Sequence, residues 1–92
     1  MSATPAQTLV PDTAELKIRQ ILKEHGRLIE DAATLDAEAD LYEAGMTSHA
    51  SVNVMLALEA EFEIEFPDSM LKRTVFESIA AIGAAVAELH NR

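Results

Sequence analysis

Apolar residues recur along most of this chain at steps of three and four, the period of one helix face. Leu16, Ile18, Ile21 and Leu22 form the first such run, with Lys17, Arg19 and Lys23 largely on the other side. Asp12 and Glu15 are spaced as a capping box, and Gly26 is placed to end the helix as a C-cap glycine. A first helix is therefore predicted from about Thr13 to His25. A long acidic connection follows, from about Arg27 to Thr47, with Leu28, Ile29, Leu35 and Leu41 available to pin it to the core. Within it, Asp40 to Ala44 is expected to form a single turn before Gly45.

The second helix is predicted to start at Thr47 or Ser48, both good capping residues, and to run to about Phe62. Ser51, Val54, Met55, Leu58 and Phe62 make its core stripe. Val52 and Leu56 fall off that stripe; they are either a docking patch or residues covered by a neighbouring loop. Glu63 to Phe66 alternates like a strand but has no partner segment, and Pro67-Asp68 marks a break. A short third helix is expected over Ser69 to Arg73. Thr74 and Glu77 repeat the capping-box spacing before a last helix, about Val75 to Leu89, built on Ile79, Ile82, Val86 and Leu89. Gly83 inside it reads as a weak point or a close contact. The expected fold is all-α, with residues 1–10 as a loose N-terminal tail and 11–92 as one domain.

Composition narrows the function classes. With 92 residues the chain supports one domain, and 4% aromatic content requires an aliphatic core. Cysteine is absent, so disulfides and thiolate metal sites are excluded, which suits a reducing cytoplasm. His25, His49 and His90 are too scattered for a zinc site, and no calcium-loop spacing occurs. Net charge is −9, which disfavours nucleic acid and anionic membranes as partners. Between Leu28 and Leu71 there is no Lys or Arg, so the middle of the chain is a one-sign surface suited to steering basic partners, or simply to solubility.

Ser48 beside His49 is not a nucleophile-base pair, because adjacent helix residues do not face each other. The Gly-x-Ser-x-Gly elbow is missing too. No catalytic residue is expected. What remains is a serine at a helix mouth after a glycine turn. Its role is either capping or exposure of a hydroxyl where the helix dipole favours an attached phosphodiester.

Asp40-Leu41-Tyr42-Glu43-Ala44-Gly45-Met46-Thr47-Ser48-His49 resembles the segment leading into the modified serine of acyl carrier proteins. Ala57-Leu58-Glu59-Ala60-Glu61-Phe62-Glu63-Ile64-Glu65-Phe66-Pro67-Asp68 continues the resemblance, as does Thr74-Val75 before the last helix. The resemblance implies a four-helix bundle with a long first loop and a short third helix. It implies that Ser48 takes 4′-phosphopantetheine from coenzyme A through a phosphopantetheinyl transferase. The arm's thiol would hold a cargo as a thioester, supplied by a loading ligase and passed to an acceptor enzyme. Thr47, His49, Val52, Asn53, Leu56 and Glu59 would form the partner surface of a monomeric shuttle.

Thr47, His49, Ala50 and Asn53 depart from the usual residues of the family. The Thr-Ser-His variant resembles discrete bacterial carriers that receive an activated amino acid from truncated relatives of aminoacyl-tRNA synthetases. Amino-acid cargo is therefore favoured over a fatty-acyl or polyketide cargo. The reading from another class is an unmodified acidic adaptor, in which Ser48 is only a cap.

Overall fold

The structure is a computed structural model that describes residues 13–29 and 31–90. Helix α1 spans Thr13–His25 and buries Ile18, Ile21 and Leu22, the three- and four-step set expected of one face. Leu16 lies off that face and is 54% exposed. The expected N-terminal tail and the Asp12 cap lie outside the described residues.

The end of α1 differs from expectation. Gly26 donates its N–H to the Leu22 carbonyl at 2.8 Å, and a Cβ at Gly26 would sit 2.7 Å from that same oxygen. Glycine is needed there for space. The left-handed residue is the next one, Arg27, at φ 55°.

From Gly26 to Thr47 the chain runs in turns, and its acidic residues shape them. Asp31, Asp36 and Asp40 each accept from the amide two residues on, at 2.9, 2.8 and 2.9 Å. These are Asx turns, in which a carboxylate replaces a missing backbone partner. The segment is also tied down at a distance. The Arg19 guanidinium donates to the carbonyls of Ala32 (3.0 Å) and Leu35 (2.7 Å) while pairing with Glu15. Leu41 N–H donates to Glu77 O at 2.7 Å, and Ala80 N–H to Ala37 O at 2.9 Å. Of the expected pins, Leu35 and Leu41 are buried and Leu28 is half-buried. Ile29 is 84% exposed, and Ala32 and Met46 occupy the core instead.

Helix α2 spans Ser48–Phe62 and buries Ala50, Val54 and Leu58. It ends at Glu63, in the left-handed conformation (φ 54°). The Glu59 side chain then accepts the Phe66 N–H at 3.0 Å. The Glu63–Phe66 alternation forms no strand; it delivers Phe66 against Phe76, with ring centroids 5.3 Å apart.

The short third helix is replaced by two 3₁₀ turns, Asp68–Met70 and Arg73–Val75. Extended Lys72 (φ −129°, ψ 152°) separates them and breaks the helical run.

Helix α3 spans Ile79–His90, later than expected. The Thr74–Glu77 capping box does not form. Thr74 belongs to the second 3₁₀ turn, and buried Ser78 caps α3 by accepting the Ala81 N–H at 3.0 Å. Ile79, Ile82, Ala85 and Val86 close the core against α1 and α2. The described residues thus hold three α-helices and two 3₁₀ turns, with no strand.

Candidate functional site

The route to Ser48 starts at Gly45. This glycine has φ 118°, and a Cβ there would meet Ile29 N at 3.2 Å and Ile29 Cγ1 at 3.1 Å. Two constraints, a positive φ and a close approach, therefore select glycine. Met46 follows, 3% exposed, and its N–H donates to Leu41 O, which fixes the chain to the core one step before the helix.

Thr47 is the N-cap. It has extended backbone (φ −87°, ψ 167°), and its hydroxyl accepts the Ala50 N–H at 3.0 Å. Ser48 is then the first helical residue and is exposed. This separates two roles that the residues alone left open. Capping belongs to Thr47, and the Ser48 hydroxyl stands in solvent. Ser51 Oγ donates to the Ser48 carbonyl at 2.7 Å, which stiffens the first turn. That turn contains no acidic side chain, so nothing in it offsets the positive end of the helix dipole.

Ser48 forms part of the wall of an open groove of about 360 Å³ between α2 and the 3₁₀ turns. Val52 and Met55 from α2 face Leu71 and Phe76 across it. Lys72 and Arg73 stand along the same wall, and the Arg73 guanidinium carbon lies 3.9 Å over the Tyr42 ring centroid. Tyr42, Leu71, Lys72 and Arg73 were not singled out as site residues by their sequence pattern. Their one trace is the return of positive charge at Lys72-Arg73 after the long acidic stretch.

The residues expected at the partner surface are distributed along α2. Val52 and Leu56 are 50% and 53% exposed, so no loop covers them. Thr47 and His49 are exposed, and Asn53 is half-buried. Glu59 is half-buried, with one carboxylate oxygen bonded to the Phe66 amide.

No group of acidic or histidine side chains among the described residues is placed to hold a metal ion. Leu22, Leu41, Val54, Leu58 and Ile82 have no exposure to solvent. A second groove, about 520 Å³, runs between α1 and α3 past Ile18, Gly83 and Val86, but Ser48 takes no part in it.

Comparison with known proteins matches this arrangement. Residues 17–86 match the family described as phosphopantetheine attachment site. The aminoacyl carrier protein of Agrobacterium fabrum is 52% identical over 65 residues, covering 71% of this chain and 78% of that protein.

Two of the similar solved structures are ligase complexes. One is an engineered Bradyrhizobium japonicum glycine:[carrier protein] ligase complexed with carrier protein from Agrobacterium tumefaciens and AMP. It has TM-score 0.77 and 48% identity, covering 79% of this chain and 97% of that chain. The other is Bradyrhizobium japonicum glycine:[carrier protein] ligase complexed with glycylated carrier protein. It has TM-score 0.68 and 29% identity, with the same two coverages. The resemblance seen in the residues around Ser48 is thereby borne out, and this chain belongs to the phosphopantetheine-attachment family of carrier proteins.

Proposed function

We propose that Ser48 is the attachment point of the 4′-phosphopantetheine arm and that the cargo is a small amino acid. The observation that carries the assignment is the division of labour at the helix mouth. Thr47 caps α2, which leaves the Ser48 hydroxyl exposed at the positive helix end and beside a groove. In the transfer step the Ser48 oxygen attacks the pantetheine-bearing phosphorus of coenzyme A. A new P–O bond forms, the bond to the nucleotide phosphate breaks, and the serine proton passes to a base of the transferase. When bound, the arm supplies a terminal thiol that holds the cargo as a thioester. The chain's own contribution is to present and orient; it is a carrier and not an enzyme.

A small cargo is supported by the openness of the groove beside Ser48. A long acyl chain needs shelter from water, and Val52 and Leu71 on that groove's walls are themselves 50% and 47% exposed. The relatives named aminoacyl carrier protein and the ligase complexes with similar carriers support an amino acid over a fatty acid. The loading partner would then be an amino acid:carrier protein ligase. Thr47, His49, Val52, Asn53 and Leu56 would form its docking face, with Glu59 contributing its free carboxylate oxygen. The two 3₁₀ turns take the place that a short third helix has in a four-helix carrier.

The test is intact mass after incubation with coenzyme A and a broad-specificity phosphopantetheinyl transferase, with Ser48→Ala alongside. One phosphopantetheine gained by the wild type and none by the variant supports the assignment. A gain by both moves the arm elsewhere, and no gain by either returns the chain to the adaptor reading. Incubating the arm-bearing form, its thiol free, with such a ligase, ATP and single amino acids then identifies the cargo.

A further inference from the structure

Lys72 and Arg73 stand on the wall of the Ser48 groove in a chain whose net charge is −9. Lys17 and Arg19 pair with Glu61 and Glu15. Among the described residues, no such ion pair engages Lys72 or Arg73. Arg73 is nevertheless positioned, because its guanidinium lies 3.9 Å over the half-buried Tyr42 ring. Stacking occupies the face of a guanidinium and leaves its edge donors for an anion. The floor beyond these cations is apolar, made by Val52, Met55, Leu71 and Phe76. The groove therefore offers two things to an arm rooted at Ser48: positive charge, and an apolar trough for its neutral length. Among the described residues, no acidic side chain lines it.

We propose that Lys72 and Arg73 make this groove a charge-sensitive rest for the arm. They hold the phosphodiester side of an arm with a neutral tip in the trough, and they repel a tip bearing an ammonium. This rests on the reading of Ser48 as the attachment point and of an amino acid as the cargo. The arm without cargo then lies along the trough between Val52 and Leu71. Once an amino acid is attached, its α-ammonium faces two cations across a short open groove and gains no partner there. The loaded arm leaves the trough and stands clear of the protein for the acceptor, whereas the empty arm is retracted. Loading would thus be signalled by the charge of the cargo, without any rearrangement of the helices. Arg73 is a positioning residue in this scheme, and Lys72 reinforces it.

The test compares isosteric tips. A glycyl tip carries an ammonium where a propionyl tip carries a methyl group. Full-length protein is modified at Ser48 with coenzyme A, glycyl-amino-coenzyme A or propionyl-amino-coenzyme A, the amide linkage preventing hydrolysis. Intact mass confirms each product. Backbone amide shifts of Val52, Met55, Leu71 and Phe76 are then read by NMR against the unmodified protein. The free-thiol and propionyl forms should displace these signals in the same direction. The glycyl form should displace them by less than half as much at neutral pH.

Raising the pH past the α-amine range, about 8 for a free amine, should bring the glycyl shifts towards the propionyl ones. The exposed pair Lys72→Gln/Arg73→Gln should remove the difference between the tips while leaving the core signals in place. Equal shifts for the two tips, or a difference that survives in the double variant, overturns the proposal. These outcomes are read only on protein whose mass shows the arm. Failure to acquire any arm at Ser48 is a separate result, which removes the carrier reading and the proposal with it.

Discussion

Thr47 and Ser48 are chemically similar neighbours in structurally different positions. The Thr47 hydroxyl is committed to the Ala50 amide, and the Ser48 hydroxyl faces solvent. Thr47→Ala should therefore cost about 0.5–2 kcal/mol of stability, read from the midpoint of urea unfolding. Ser48→Ala should leave the midpoint unchanged or slightly raised while abolishing arm attachment. If Ser48→Ala shows the larger stability loss, the assignment of the cap is wrong. Gly83 is a second residue whose reading the structure sharpens. A Cβ there would meet only Ile18 Cδ1, at 4.0 Å, an ordinary contact distance. It marks a weakness of the helix and no close approach. Gly83→Ala should stabilise the protein by about 0.5–1 kcal/mol, seen as a rise in Tm; a fall would show that the neighbouring Ile18 cannot accommodate the methyl.

The elements are held in place as much by polar clasps as by stripes of apolar residues. Arg19 is the clearest case. It lies largely opposite the apolar stripe of α1, yet it bonds Ala32 O, Leu35 O and Glu15 with its side chain mostly buried. Arg19→Met keeps much of the apolar stem and leaves two carbonyls without their donor. It should cost about 1–3 kcal/mol, and amide exchange should accelerate first in residues 31–36. Uniform acceleration across α1 and α2 instead would mean that the loop is not an independently opening unit. The start of α3 shows why boundaries were harder to read than helices. Thr74–Glu77 and Ser78 both offer capping chemistry, and Ser78 prevails because Glu77 O is taken by Leu41 N–H while Phe76 is drawn into the core. Local spacing alone could not rank the two.

For the whole molecule the consequential feature is what stays uncovered. Val52 and Leu56 are half-exposed apolar residues on the helix that carries Ser48. Val52→Asp with Leu56→Asp should leave the fold intact and weaken binding to a cognate ligase by tenfold or more, about 1.4 kcal/mol or above. Unaltered affinity in a titration of arm-bearing protein would move the docking face off this part of α2. Much of this architecture was already legible along the chain. Helices over 13–25 and 48–62, the off-stripe pair and the glycine turn follow from period, capping and turn chemistry, which act within a few residues, whereas the choice of cap between Thr47 and Ser48 stayed open. Other features were not legible. Arg19 reaching the first loop, Ser78 displacing the expected cap, and Lys72 and Arg73 arriving beside Ser48 join residues distant in sequence. Such contacts leave no periodic trace, because they depend on how packed helices bring separate segments together. The chain's own pattern therefore specified a helical domain with two hydroxyls at a helix mouth, and packing in three dimensions decided which of them caps and set the charge and shape of the groove beside Ser48.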